Sequence, residues 1–281
     1  MEKNKQINFV SGGKLGDFIQ ILYAVKGICE QNNAKANIYL CDIGWDFGIK
    51  NTYGELYPIL IRQSYINNIS ILREDDYTLD PIQTPQQNTP ITIHDQQILK
   101  DGFVDMGDYL RSSHLYRSCW TTLFSETFNF PKPANPKWIT VDKKNDAFAD
   151  KVVIHRKAFA GINTEFPHKE IIDKHTGRIV FVSSNENDYQ VFPYKDEVPF
   201  VKMHTLDDWF TTINSSKLFI SNLTGPAAIS HALDVHRIIE LPYTPDIYHC
   251  IGEEKYSSNI KWFLNNENNN LGDYLNEEIC N

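Results

Sequence analysis

Residues Ser11 to Gln20 read SGGKLGDFIQ and follow the apolar run INFV. The glycines allow tight backbone geometry and close approach of a ligand. A helix starting here offers unpaired N–H groups and partial positive charge. One carboxylate, Asp17, stands in that turn, and two readings compete for it. As an N-cap it would satisfy the helix's own amides, with Gln20 three residues on completing a capping box. As a chemical group it would be presented to whatever the glycines admit. The turn is not a dinucleotide fingerprint, because G-x-G-x-x-G is absent, and no G-K-[ST] marks a P-loop.

A second turn, FISNLTGPAA (Phe219 to Ala228), has a related form. Thr224 and Gly225 can cap, Pro226 suits the first helical position, and small residues leave room for a phosphate above the helix end. The alternative is an ordinary capped turn packed closely on a neighbouring helix. His155, Arg156 and Lys157 form a small basic cluster, read either as phosphate partners or as a solvated loop. His155, at a strand end, and His231, on the helix after the second turn, are the histidines placed to act; packed core histidines are the alternative. Asp105 and Asp108 are a candidate acid pair, although acids three apart on a helix are usually just exposed. Tyr109, Tyr116 and Trp120 read as core or ligand-cleft aromatics. No serine sits in G-x-S-x-G and no cysteine has a paired base, so nucleophilic hydrolysis has no support.

These turns need strands and helices to hold them. INFVS reads as a strand, and Phe18, Ile21, Leu22, Val25, Ile28 and Cys29 fall on one helix face. NIYLC, ISIL and ITIH follow as strands, and Val104 to Phe128 reads as mainly helical. The second half repeats the logic with KVVIH, RIVFVSS, a helix marked by Leu206, Trp209, Phe210 and Ile213, then KLFISN, a helix from Pro226 and HRIIELP. The strands read as continuous apolar runs, as in parallel sheets covered on both faces. Asp80 to Pro90 reads as a loop, and the asparagine-rich run 265–270 as a solvated loop before a short terminal helix. Pro131, Pro133 and Pro136 precede a charged stretch, Asp142 to Lys151, which places a domain boundary near 145. The expected fold is α/β, with two doubly wound Rossmann-like domains, 1–145 and 146–281, facing across a cleft. A ligand would sit at the carboxyl ends of the strands.

The 281 residues, 41% hydrophobic and 12% aromatic, supply a sizeable core. No apolar run reaches the roughly 18–20 residues of a membrane span, and the polar MEKNKQ start gives no secretory signal. Cys29, Cys41, Cys119, Cys250 and Cys280 are scattered without C-x-x-C spacing, so neither a zinc site nor a disulfide framework is expected, and a reducing cytoplasm fits. A net charge of −9 argues against broad nucleic-acid binding.

Together the two turns resemble the lipopolysaccharide heptosyltransferase family, nucleotide-sugar enzymes of the GT-B fold. That family carries an L-G-D or M-G-D turn near its N-terminus, here Leu15-Gly16-Asp17. It also carries a late strand ending in N-D-[ST]-G-P-x-H, matched here by Asn222, Thr224, Gly225 and Pro226, with HALDV continuing. The resemblance implies that the N-terminal domain takes the acceptor, with Gly13, Lys14, Gly16 and Gln20 on the acceptor side or contacting phosphate. The C-terminal domain would hold a nucleotide-sugar donor, through Ser221, Asn222, Thr224, Gly225, Pro226, His155, Arg156 and Lys157. It implies that Asp17 is the general base for an acceptor hydroxyl and that transfer inverts the anomeric centre. No metal or cofactor is implied beyond the nucleotide sugar itself. The acceptor would be a glycan or another hydroxyl compound, with nucleic acid entering only as modified DNA. Leu223 stands where the family has an acid and Ala228 where it has a histidine. The family's lysine in the loop after KVVIH has Arg156, Lys157 and Lys169 as possible substitutes. A non-catalytic binding protein of the same fold and a nucleotide-sugar epimerase are the alternatives.

Overall fold

The computed structural model describes residues 5–45, 48–79, 91–112, 118–133, 135–158, 162–242 and 257–263. The loop reading of 80–90, Tyr116, Cys250, Cys280 and the 265–270 run with its following helix lie outside these residues. The chain divides into two compact units, Met1–Thr140 and Val141–Asn281. The division falls ahead of residue 145 because the charged stretch is tied to the second unit. Asn214 Nδ2 donates to Val141 O at 2.8 Å, Lys144 Nζ to Asn214 O at 2.5 Å, and Asn145 N to Ser215 Oγ at 2.7 Å.

In the first unit, the strands are β1 (Lys5–Ser11), β2 (Ala34–Leu40), β3 (Ile66–Ile71), β4 (Tyr77–Leu79), β5 (Ile91–Ile93) and β6 (Val104–Asp105). The helices are α1 (Leu15–Asn32), α2 (Ile49–Leu60), α3 (Gln96–Asp101) and α4 (Trp120–Thr127). A parallel sheet runs β3-β2-β1-β6, and β4-β5 form an antiparallel ribbon. The expected apolar stripe of α1 is buried, but so are Ile19, Tyr23 and Ala24. The outer side of α1 is covered as well. Tyr23 packs on Phe130 and Trp138, with ring centroids 5.7 and 5.5 Å away, and Trp138 Nε1 donates to Ile19 O at 2.8 Å.

Two expectations need correcting here. The strands of this sheet are not uniformly apolar. Asn37 Nδ2 donates to Gln6 Oε1 and Asn8 Oδ1, both at 3.1 Å, and Asn67 Nδ2 donates to Asn37 Oδ1 at 2.8 Å. A ladder of hydrogen-bonded side-chain amides therefore crosses β1, β2 and β3. Nor is Val104–Phe128 mainly helical. Val104 and Asp105 pair with Phe9 and Val10 as β6, Met106–Arg111 is a 3-10 turn, and the α-helix is confined to Trp120–Thr127. Pairing with the central strand outweighed helical periodicity in this segment. Asp105 is thereby taken out of any exposed helical acid pair: its carboxylate accepts from Gly107 N at 2.8 Å and Ile91 N at 3.4 Å.

In the second unit, the strands are β7 (Val152–His155), β8 (Ile179–Ser183), β9 (Phe200–Lys202), β10 (Leu218–Asn222), β11 (Arg237–Glu240) and β12 (Ile260–Phe263). The helices are α5 (His168–Lys174), α6 (Glu186–Gln190), α7 (Leu206–Ser215) and α8 (Gly225–Leu233). All six strands are parallel, in the order β12-β11-β10-β7-β8-β9. The four central strands, β7, β8, β10 and β11, are buried along their whole length, as continuous apolar runs require, while the edge strand β9 is largely exposed. Val152, Ile154, Leu218 and Ile220 join Phe166, Ile171, Phe181 and Phe192 in the core on one face. Such side chains contribute roughly 1.5–3 kcal/mol each when fully buried.

Each sheet reverses direction once. The chain builds outward from β1 through β2 to β3, then returns to the other side of β1 with β6. It likewise builds from β7 through β8 to β9, then returns beside β7 with β10. Helices on opposite faces leave a crevice at such switch points, beyond the carboxyl ends of the strands. Among the described residues no helix is long and apolar enough to cross a membrane.

Candidate functional site

The second-unit switch point lies between β7 and β10, and most of the basic cluster and the second turn meet there. Ser221 pairs with His155 across the ladder, and Asn222 pairs with Glu240 of β11 on the other side. Side chains alternate between faces with a period of two, so Arg156, Asn222 and Glu240 form one row across three strand ends. Asn222 is fully buried. Its Oδ1 accepts from Lys157 N at 3.1 Å and its Nδ2 donates to Lys157 O at 3.0 Å, joining the two strand ends.

Arg156 does not offer its guanidinium to a ligand. Nε donates to Glu240 Oε2 at 3.0 Å, and Nη2 donates to Glu240 Oε1 at 2.8 Å and to Asn163 O at 3.3 Å. Glu240 also accepts from Asn163 N at 2.5 Å, and His168 Nε2 lies 3.5 Å from its Oε2. Burial opposes ionisation of Glu240, but His168 and the closer Arg156 fork outweigh it and hold the carboxyl below the usual range. Arg156 is thus spent on a buried ion pair. Lys169, the other substitute cation, is engaged by Asp173 and Glu197 at 2.5 and 3.0 Å. Lys157 is exposed, and its ammonium makes no hydrogen bond or ion pair with any described residue. Of the three candidate cations Arg156, Lys157 and Lys169, it is the one with no partner among the described residues.

His155 belongs to the core instead of the donor-binding set. It shares Val153's face of the sheet and lies under Trp209, with ring centroids 4.9 Å apart. Val182 O, which can only accept, lies 3.0 Å from Nδ1 and so fixes the Nδ1–H tautomer. Burial pushes its pKa down to about 4. His231 is likewise buried in α8, and burial and the Arg237 charge hold it neutral, well below the ordinary histidine range.

Thr224 occupies the N-cap position of α8 but does not cap with its side chain. Its hydroxyl turns back to Asn222 O and Ser221 Oγ, both at 3.3 Å, and Ser221 Oγ itself donates to Asn222 O at 2.8 Å. Among the described residues no acceptor takes the N–H of Gly225 or Ala227; the helical bond from Ala228 N to Thr224 O begins one residue on. Pro226, the second helical residue, has no N–H to offer. A Cβ built on Gly225 would meet nothing within 4 Å. Among the described residues, the helix end thus carries two unspent N–H donors and no close neighbour at Gly225, which favours the open reading of this turn over the packed one. Leu223 and Ala228, the departures from the family pattern, are both apolar contributors to packing. Leu223 lies against the cluster of Ala227, Ile239, Leu241 and Ile260, and Ala228 is buried.

At the first-unit switch point the glycines serve the backbone. Gly13 has φ +105°, its N–H donates to Ile43 O at 2.7 Å, and a Cβ on Gly44 (φ +72°) would stand 3.1 Å from Gly13 Cα. The loops after β1 and β2 pass each other backbone to backbone. With the chain turned there, α1 begins at Leu15, and Lys14 is its exposed N-cap. The capping-box reading of Asp17 and Gln20 is therefore corrected. Asp17 is the third helical residue, half-buried beyond the carboxyl end of the central strand, with Gly16 and Gln20 half-buried beside it. A true capping box occurs at Thr205 and Asp208, where each accepts from the other's backbone N–H at 3.1 and 3.0 Å. Among the described residues no three His, Cys, Asp or Glu side chains group to hold a metal.

No protein-family model matches the chain, and no curated protein does. Solved structures do. A glycosyl transferase family 9 structure from Veillonella parvula DSM 2008 superposes with a TM-score of 0.54 at 13% identity, over 99% of this chain and 92% of that one. The chain has the fold of these glycosyltransferases. E. coli heptosyltransferase WaaC with ADP matches with a TM-score of 0.54 at 13% identity, over 92% of both chains. E. coli ADP-heptose lps heptosyltransferase II matches at 0.56 and 11%, over 92% of this chain and 90% of that one. The GT-B-like reading of two parallel α/β units is thus borne out at the level of fold.

The sequence reading missed Glu240, Asp188 and Asn163. Glu240 had a visible signal: it is the one charge ending the apolar run IIE before LP. Asp188 and Asn163 sit in polar stretches with nothing to single them out.

Proposed function

We propose that this protein is a glycosyltransferase that moves a sugar from a nucleotide-sugar donor to an acceptor hydroxyl. The observation that carries the reading is the start of α8 at a topological switch point, with no side-chain cap, and, among the described residues, no neighbour above Gly225 and no partner for the exposed Lys157 ammonium. A helix N-terminus with free amides favours a phosphate. Lys157 adds the charge that a leaving diphosphate needs, so the chain's own groups supply the stabilisation without calling on a metal. The fold supports the same reading, since the three solved glycosyltransferases above share it and one of them holds ADP.

Asp17 is the proposed base. A half-buried carboxylate in the first turn of α1 accepts the acceptor's hydroxyl proton as the oxygen attacks the anomeric carbon. The nucleoside diphosphate leaves from the opposite side, so the configuration inverts. The acceptor carries a free hydroxyl, on a glycan or another molecule, and the compartment we propose is the cytoplasm, which keeps thiols reduced.

A binding protein that kept the fold without turnover is the second reading, favoured by partly buried Leu223 against an apolar cluster and buried Ala228 at the positions where the family has polar residues. A thermal-shift series with ADP-, GDP-, UDP-, CDP- and dTDP-sugars tests the donor site. A ligand present at about 100 times its Kd stabilises the folded state by roughly 2.7 kcal/mol and raises Tm. One nucleotide class is expected to stand out; a flat response across the series removes the donor-site reading. Binding without any transfer product would favour the second reading.

A further inference from the structure

Three consecutive residues of the loop after β7 are each held by a side chain from a different part of the second unit. Arg156 is held by Glu240 of β11 at 2.8 and 3.0 Å. The backbone of Lys157 is held by Asn222 of β10 at 3.1 and 3.0 Å. Ala158 N donates to Asp188 Oδ1 of α6 at 3.0 Å, and Asp188 is itself oriented by Ser183 Oγ at 2.7 Å. Asp188, Asn222 and Glu240 are 6%, 0% and 1% exposed. In the middle of this buried set one long side chain, that of Lys157, is left in solvent. Fixing the backbone of a residue removes entropy that a ligand would otherwise have to remove on binding.

We propose that Asp188, Asn222 and Glu240 act as positioning residues for Lys157, fixing the loop so that its ammonium meets the second phosphate of a nucleoside diphosphate. The inference rests on the donor-site reading above and adds to it what aims the cation. Glu240 has a double part: it fixes the loop through Asn163 N and the Arg156 fork, and it cancels the Arg156 charge, leaving Lys157 as the local cation.

The test is a double-mutant cycle read by calorimetric titration with ADP, GDP, UDP, CDP and dTDP, each against its monophosphate. The wild-type protein is expected to prefer a diphosphate by about tenfold, and Lys157→Met to lose that preference. Asp188→Ala should lose it too, but cause no further loss in the Lys157→Met background, and Asp188→Asn, which keeps an acceptor for Ala158 N, should restore it. Purely structural damage would weaken mono- and diphosphate binding alike and would add to the lysine effect. Should Asp188→Ala not fold, Ser183→Ala takes its place; it removes the bond orienting the carboxylate and the acceptor of Asn185 N, and leaves the carboxylate itself in position to accept from Ala158 N. Additive losses overturn the positioning role and leave the donor site standing. A diphosphate preference surviving Lys157→Met overturns the role of the lysine and of the residues that hold it. Failure of the wild-type protein to bind any of the nucleotides overturns the donor-site reading, and the positioning role with it.

Discussion

The two strand-to-helix turns look alike in sequence and differ in how they are built. After β1, the glycines are consumed by a crossing of two backbones, and the helix end presents a side chain, Asp17. After β10, a Cβ on the half-buried glycine would meet no described atom, and the helix end presents its own amides. A carboxylate meant to take a proton must be held firmly and half-shielded. A cradle for an anion must leave its donors unspent and its volume empty. The same residue type, glycine, serves opposite ends in the two places.

The largest expected effect separates the two turns by function. Asp17→Asn should lower transfer by about a hundredfold to ten-thousandfold, the usual worth of a positioned base, with nucleotide affinity unchanged. Transfer rates together with titration of the same variant check this; full turnover in the variant ends the base assignment.

The next effect concerns the support beneath the second turn. The pKa of His155 falls to about 4 on folding, from about 6.5 when unfolded. Between those values the unfolded chain binds the extra proton, so stability is complete above pH 6.5 and declines as pH falls toward 4. The contribution is on the order of 3 kcal/mol at most. Urea denaturation from pH 7 to 4 should therefore show a shallower loss for His155→Gln than for the unaltered chain. Parallel slopes would show that His155 is not held neutral in the core.

The smallest effect is the sharpest contrast. Gly44→Ala places a Cβ 3.1 Å from Gly13 Cα at a positive φ and should cost about 1–3 kcal/mol. Gly225→Ala places one in open space at an ordinary φ and should be neutral or stabilising by up to about 1 kcal/mol. Denaturation midpoints for the pair decide the matter; equal costs would erase the distinction between a packed and an open turn.

The sequence alone determined the alternation of strand and helix, the parallel sheets and the two turns at the ends of β1 and β10. Apolar periodicity and short glycine- and proline-marked turns are local properties, readable residue by residue. It also placed Asp17 and Thr224-Gly225 in their turns. It did not reveal that Gly13 is spent on Gly44, that His155 lies under Trp209, or that Arg156 is neutralised by Glu240, 84 residues away. Each of those depends on strand register and on which loops pass each other. Hydrogen-bonding and ion-pairing potential can be read from a residue's type, but the partner that uses it is chosen only when the sheet is assembled.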